Sequence, residues 1–358
     1  MPMAPAAAAG ALPAPIEHEH VVVRRGPRSE LYTIVAVHST ALGPALGGCR
    51  LWRYPDVAAG LRDALRLSSA MTLKAAAAGL DLGGGKGVIC RQSDAPPSGP
   101  ARRAALADFA EIVEALGGSY VTSEDVGTGA SDMIVIAETT DHVTGLPVEH
   151  GGSGDPSPFT ARGVEAAMRA SCARAFGSPE LAGRRVAVVG LGRVGACLAR
   201  RLAAAGAQLV LSDIDEGRRA LAAELPGASW VDPTTALAAD VDVLAPCALG
   251  GILEEAIVPR LRCAVICGAA NNQLAHDAIA GELAARGILY APDFIANAGG
   301  LIHVSAEFTG ADPARMEARV DRLEEDMGAI LNEAAAAGTT PLAAAGERAR
   351  RQLAGVAR

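Results

Sequence analysis

Arg184-Arg-Val-Ala-Val-Val-Gly-Leu-Gly-Arg-Val-Gly195 is the stretch on which the fold turns. Its first half has the composition of a short buried strand. It runs straight into three glycines, Gly190, Gly192 and Gly195, that open the helical pattern at 196–205. Each glycine meets a separate demand: a tight turn, close approach of backbone to a pyrophosphate, and close packing of helix on strand. Gly190, Gly192, Arg193, Val194 and Gly195 would then set the free N–H groups of a helix N-terminus against the phosphates. The next strand pattern, Gln208-Leu-Val-Leu-Ser-Asp213, ends in an acid 23 residues after Gly190. A carboxylate at that spacing suits the adenosine ribose of NAD. Arg218 and Arg219 lie close enough to leave NADP use open. Strand, glycines, helix, strand and acid in this order predict a dinucleotide site.

Outward from this motif, strand and helix patterns alternate from a helix at about 160–176 to near residue 300, which predicts a parallel sheet wrapped by helices. Gly151-Gly-Ser-Gly-Asp-Pro-Ser-Pro158 is rich enough in breakers to mark a crossing between domains. Before it, residues 18–54 alternate as strands do. Asp56 to Lys74 carries apolar residues at helical spacing, and Gly79-Leu-Asp-Leu-Gly-Gly-Gly-Lys-Gly-Val-Ile89 reads as a glycine turn running into a short strand. A helix at about 101–116 and a strand end at Tyr120–Thr122 follow. The tail from Pro313 reads as amphipathic helix. The fold class expected is α/β in two domains. A substrate-binding and oligomerisation domain takes 17–147 plus 331–358, so that the helical tail packs back on it. A Rossmann-type, doubly wound NAD domain takes 148–330. Residues 1–16, nearly all Ala, Pro and Gly, read as a disordered tail and a poor secretory signal.

The 358 residues carry a formal net charge of −8 and no concentrated basic face, which argues against a nucleic-acid partner. No uninterrupted apolar run reaches the ~18 residues of a spanning helix, which argues against a membrane. Seven cysteines, an odd number with no CxxC pair, read as reduced core thiols of a cytoplasmic protein and not as a disulfide frame or metal site. Lysine is the informative residue. Lys plus Arg total 32, yet only Lys74 and Lys86 are lysines. Arginine stays protonated at any ordinary pH, whereas a lysine can lose its proton and act as a base, so these are positions where arginine would not serve. Side by side, the two would repel, lowering the pKa of the more buried one. The histidines are poorly placed for a base. Asp125, in a glycine-bounded turn, could relay protons beside a lysine.

Several ordered blocks then carry a family resemblance: Leu42-Gly-Pro-Ala-Leu-Gly-Gly-Cys-Arg50, Met71-Thr-Leu-Lys74, Ala78–Lys86, Thr122-Ser-Glu-Asp-Val-Gly-Thr128, Pro246–Gly251, Gly268-Ala-Ala-Asn-Asn-Gln-Leu274 and Tyr290–Gly300. From about residue 20 to 345 the chain resembles the Leu/Val/Phe amino-acid dehydrogenases of the glutamate dehydrogenase superfamily. The resemblance implies reversible NAD-dependent oxidative deamination of an L-amino acid to its oxo acid and ammonium. It implies that Lys74, the backbone at Gly47 and Gly48, and Asn297 hold the substrate carboxylate. Lys86 would be the base that activates water, Asp125 the proton shuttle, and Asn271 and Asn272 neighbours of the nicotinamide ribose. Cys49 departs from the threonine common in the family.

Pocket positions carried over are Leu46, Ser123, Leu301 and Val304. Apolar Leu46 and Val304 stand where glutamate-specific relatives bind a second carboxylate. Leu46 and Leu301 narrow the pocket towards Leu, Val and Ile, while Met71–Lys74 and the Ile302-His303 pair look more like the phenylalanine branch. Phenylalanine dehydrogenase is the alternative, 2-hydroxy-acid dehydrogenase a more remote one. The resemblance also implies a homo-oligomer.

Overall fold

The computed structural model describes residues 16–356 apart from Gln92 and Ala311. The predicted disordered tail thus lies outside the described residues, except for Ile16. The chain divides into two compact units, 1–154 with 350–358, and 155–349.

The first unit is built on a five-stranded sheet ordered β1-β2-β4-β3-β5, from β1 (His20–Arg25), β2 (Tyr32–Ser39), β3 (Ala45–Arg53), β4 (Gly83–Arg91) and β5 (Tyr120–Glu124). β2 runs antiparallel to both its neighbours, whereas β3 is parallel to β4 and β5. Helices α1 (Val57–Ala77), α2 (Gly99–Ala115) and α3 (Ala130–Ala137) complete it. Period-two alternation divides the strands between two cores. Ile34, Ala36, Val88 and Cys90 pack with Ala64 and Leu65 of α1, while Val35, Val37 and Ile89 pack with Leu106 and Phe109 of α2 and Ile136 of α3. A sheet covered on both faces explains why Ile34 to Val37 is apolar without interruption.

The glycine run read as a turn is the body of β4 instead. Glycine disfavours a strand on propensity, but here neighbouring groups approach closer than any side chain allows. A Cβ on Gly84 would lie 2.0 Å from Thr72 N in α1. One on Gly85 would lie 2.5 Å from the Tyr120 ring, and one on Gly87 2.5 Å from the Phe109 ring. Tertiary packing overrides local preference.

The second unit holds a six-stranded, wholly parallel sheet ordered β11-β10-β9-β6-β7-β8: β6 (Arg185–Val189), β7 (Gln208–Ser212), β8 (Ser229–Trp230), β9 (Val243–Pro246), β10 (Val265–Ile266) and β11 (Leu289–Tyr290). Taken in chain order within this unit, the first and fourth strands lie side by side at its centre, the order of doubly wound dinucleotide-binding sheets. Its helices are α4 (Ser157–Phe176), α5 (Arg193–Ala204), α6 (Ala220–Glu224), α7 (Pro233–Leu237), α8 (Ile279–Ala285), α9 (Asp293–Ala296), α10 (Gly299–Thr309), α11 (Pro313–Asp321), α12 (Leu323–Ala337) and the greater part of α13 (Pro341–Val356).

The tail is therefore three helices, broken at Gly338 in the left-handed conformation with Pro341 beyond it. Its share of the first unit begins at Arg350, not at 331 as expected. Met327, Ile330 and Leu331 on α12 are buried within the second unit, so the apolar stripe of that helix is already satisfied there. Among the described residues no helix is long and apolar enough to cross a membrane.

Candidate active site

In the first unit, Lys86 follows Gly84 on the α1 face of β4, since side chains two apart share a face. It is 5% exposed. Asp125 sits just past β5, in a turn pinned by Thr128, whose hydroxyl accepts from Asp125 N at 2.9 Å and donates to Cys49 O at 2.7 Å. The pinned turn brings Asp125 Oδ2 to 2.8 Å from Lys86 Nζ. The two residues expected to carry the chemistry are thus in contact. Burial pulls the Lys86 pKa below the ordinary lysine range, although Asp125 pulls it up. Burial pushes Asp125 up, but Lys86 and Arg50 outweigh it, and the carboxyl stays below its usual range.

A cation bearing on Lys86 is Arg50, whose Nε donates to the same Oδ2 of Asp125 at 2.8 Å. Lys74 is half-buried in the last turn of α1. Sequence reading missed Arg50 as a site residue, together with Asp63 and Tyr54 that hold it. Arg50 Nη1 reaches Asp63 Oδ2 at 3.0 Å, and the Tyr54 hydroxyl donates to that oxygen at 2.6 Å.

Gly47, Gly48 and Leu46 lie on β3 between its two parallel neighbours, with Gly48 opposite Ser123 in β5. A Cβ on Gly47 would fall 1.8 Å from Gly85 O, and one on Gly48 2.5 Å from Glu124 O. Both glycines are therefore required by backbone packing. Fully buried Tyr120 fixes this corner by donating to Gly47 O at 2.6 Å. Leu46 is buried.

In the second unit, every expected residue that follows a strand follows its carboxyl end: Gly190 to Gly195 after β6, Asp213 after β7, Asn271 and Asn272 after β10. Ligands of open α/β sheets bind at those ends, beside the point where strand order reverses, here between β6 and β9. Gly190 has φ +102°, and its Cβ would lie 2.6 Å from Ala248 N, while one on Gly195 would lie 1.9 Å from Gly190 O. Gly192 is different, because a Cβ there would meet nothing within 4 Å. No side chain caps the N-terminus of α5, which begins at Arg193 and Val194. Two glycines needed for packing and a third needed only if something else approaches fit a bound pyrophosphate. Asp213 ties the loop in place, accepting from Leu191 N at 2.6 Å.

Asn297 ends α9 and donates to Asn271 Oδ1 at 2.8 Å, so these two residues meet. Asn272 adopts φ +52°, a left-handed conformation that asparagine tolerates. Buried Gln273 and Asp293, which sequence reading missed, brace this loop: Gln273 Nε2 donates to Gly268 O at 2.9 Å and Gln273 N to Asp293 Oδ2 at 3.1 Å. Leu301 and Val304 lie on α10, both buried.

Gly192→Val tests the glycine assignment. The β-carbon of the new side chain meets nothing within 4 Å, and the branched side chain stands at the N-terminus of α5, where the pyrophosphate would approach. Titration of NADH fluorescence should show affinity falling at least tenfold, which is ~1.4 kcal/mol, with the melting temperature unchanged. Unaltered NADH affinity would mean that the dinucleotide binds elsewhere.

The Glu/Leu/Phe/Val dehydrogenase dimerisation-domain model matches residues 18–142, and the Glutamate/Leucine/Phenylalanine/Valine dehydrogenase model matches 211–352. The NAD-binding domain of D-isomer-specific 2-hydroxyacid dehydrogenases matches 161–248, the fingerprint region alone. Leucine dehydrogenase of Geobacillus stearothermophilus is 43% identical over 87% of this chain and 84% of its own length. Valine dehydrogenase of Streptomyces virginiae is 43% identical over 94% of each chain. Among solved structures, L-tryptophan dehydrogenase from Nostoc punctiforme superposes with a TM-score of 0.82 at 36% identity, covering 96% of this chain and 98% of that one. With both its sheets, its glycine loop and its Lys86–Asp125 pair in place, the chain belongs to the Glu/Leu/Phe/Val dehydrogenase family.

Proposed function

We propose that the protein catalyses reversible, NAD-dependent oxidative deamination of branched-chain L-amino acids. Substrate, NAD⁺ and water give the oxo acid, ammonium, NADH and a proton. The observation that carries the reading is the buried lysine sharing a carboxylate with Asp125, in the unit matched by the family's dimerisation domain. The glycine loop and Asp213 hold the dinucleotide, with Asn271 and Asn272 beside its nicotinamide ribose. Bound NAD supplies the hydride acceptor.

In the first unit, Lys74 and the backbone of Gly47 and Gly48 hold the substrate carboxylate; in the second, Asn297 is the carboxylate-binding side chain that the family resemblance assigns. Lys86 in its neutral form takes a proton from the water that adds to the imine carbon, and Asp125 moves protons at the departing nitrogen. Base catalysis by Lys86 makes deamination rise with pH through the lysine's pKa, which burial places below the ordinary lysine range.

Leu46 and Ser123 are the specificity positions of the first unit, and Leu301 and Val304 those of the second. A glutamate carboxylate buried without a partner against an apolar side chain such as Leu46 would cost about 2–7 kcal/mol. Relatives named for leucine and valine favour an aliphatic substrate over phenylalanine. One methylene is worth only about 1–3 kcal/mol, so several aliphatic substrates turn over. The first unit, matched by a dimerisation domain, carries self-association into a homo-oligomer. The protein works in the cytoplasm.

NADH formation with L-leucine, L-valine, L-isoleucine, L-phenylalanine, L-tryptophan and L-glutamate, with NADP⁺ in parallel, tests this. The highest kcat/KM is expected on an aliphatic substrate with NAD⁺. A clear aromatic preference would overturn the pocket assignment, and preference for NADP⁺ would overturn the role of Asp213.

A further inference from the structure

Arg50, Asp63 and Tyr54 form a chain of contacts behind Asp125 that the deamination chemistry leaves unexplained. Arg50 Nε and Lys86 Nζ both lie 2.8 Å from the same oxygen of Asp125. Arg50 Nη1 is 3.0 Å from Asp63 Oδ2, Tyr54 donates to that oxygen at 2.6 Å, and Arg66 reaches Asp63 Oδ1 at 2.9 Å. The inner groups, Arg50, Asp63 and Asp125, keep only about a fifth of their side-chain surface exposed. They therefore interact across a medium less screening than water.

Charge counting gives the arrangement its meaning. Two guanidiniums, Arg50 and Arg66, face two carboxylates, Asp63 and Asp125. This set is balanced when Lys86 is neutral and carries an extra positive charge when Lys86 is protonated. Resting on the reading of Lys86 as base, we propose that Arg50 is a positioning residue. Clamped between Asp63 and Asp125, it aims the Asp125 carboxylate and supplies the counter-charge that lets Lys86 release its proton.

The other polar groups around Lys86 do not take this role. Cys49 and Tyr120 are buried, which pushes both groups up and leaves them neutral. Asp132 accepts from Arg102 and is neutralised by it. On the α1 side, Lys74 adds a further cation that is the same in wild type and in every variant compared, and Thr72 meets His38 of β2, itself lowered by burial and uncharged at alkaline pH. Arg50, held at 2.8 Å from the oxygen that Lys86 also contacts, opposes the pull of Asp125 on the lysine proton.

The signs for two variants are opposite. In Arg50→Gln, Asp125 loses the guanidinium that shares its carboxylate with Lys86 and then holds the lysine charged, so the acidic limb of the kcat/KM–pH profile moves up. In Asp63→Asn, a negative charge is lost and Arg50 is left to Asp125 alone, so the limb moves down.

The experiment measures kcat/KM for L-leucine and NAD⁺ across pH for the full-length wild type, Arg50→Gln, Arg50→Lys and Asp63→Asn. Arg50→Gln should shift the limb upward by about one pH unit. That is a tenfold loss at neutral pH, largely recovered at alkaline pH with KM little changed. Arg50→Lys should restore part of the shift and Asp63→Asn should reverse its direction. Superimposable profiles for Arg50→Gln and wild type, or shifts of the same sign for Arg50→Gln and Asp63→Asn, would overturn the proposal. If Arg50→Gln does not fold, the sign for Asp63→Asn decides alone. Failure of the underlying reading looks different, because Lys86→Arg would then turn over leucine as the wild type does.

Discussion

Lys86→Arg should fold, bind NADH normally and lose ~10²–10⁴-fold in kcat, the usual contribution of a positioned general base. The substitution keeps a positive charge opposite Asp125, so the contact at 2.8 Å has a replacement and the buried carboxylate is not orphaned. What it removes is the ability to become neutral, since arginine does not release its proton in this range. Burial acts on lysine in the other direction, lowering its pKa and making the basic form easier to reach. Steady-state kinetics with NADH titration separates the two effects. A variant with near-normal kcat would remove Lys86 from the chemistry.

Gly84→Ala should be strongly destabilising. The added carbon would lie 2.0 Å from Thr72 N and 2.6 Å from Ser68 O, both backbone atoms of α1. No rotamer change relieves backbone contacts, so α1 must lift from β4. Overpacking of this kind costs about 1–3 kcal/mol or more. At roughly 2–4 °C per kcal/mol for a domain of this size, the melting temperature should fall by about 2–12 °C. Activity should fall as well, because α1 carries Asp63 and Lys74. A melting temperature unchanged from wild type in a thermal denaturation scan would show that α1 and β4 are not in such close contact.

The second unit was legible because its signals agree. The apolar strand before Gly190, the helix after Gly195 and the acid at Asp213 each predict the same parallel sheet, and β6, α5 and β7 follow within a residue or a few of the expected bounds. The glycine run before Lys86 misled because a strand of glycines is visible only through what presses on it, namely Thr72, Tyr120 and Phe109. The tail misled for a related reason. Met327, Ile330 and Leu331 announce a face to be covered, but which unit covers it depends on tertiary packing.

At the site, Lys86 stood out by scarcity, and the fold places it against Asp125. Arg50 was hidden by abundance in a chain that uses arginine for nearly every cation. Asp63 and Tyr54 had no local signal at all, since their meaning lies in contacts among β3, the turn after it and α1.

On the proposed function, the buried Lys86–Asp125 pair serves chemistry at an amine carbon. The most direct test is NADH oxidation with the oxo acid of leucine, measured with and without ammonium. Both amino-acid and 2-hydroxy-acid dehydrogenases bind the cofactor through a glycine loop like this one, and residues 161–248 match the latter's NAD-binding domain. Only the former need nitrogen. NADH consumption strictly dependent on ammonium, and abolished in Lys86→Arg, is the result expected. Consumption at the same rate without ammonium, yielding the hydroxy acid, would contradict the account.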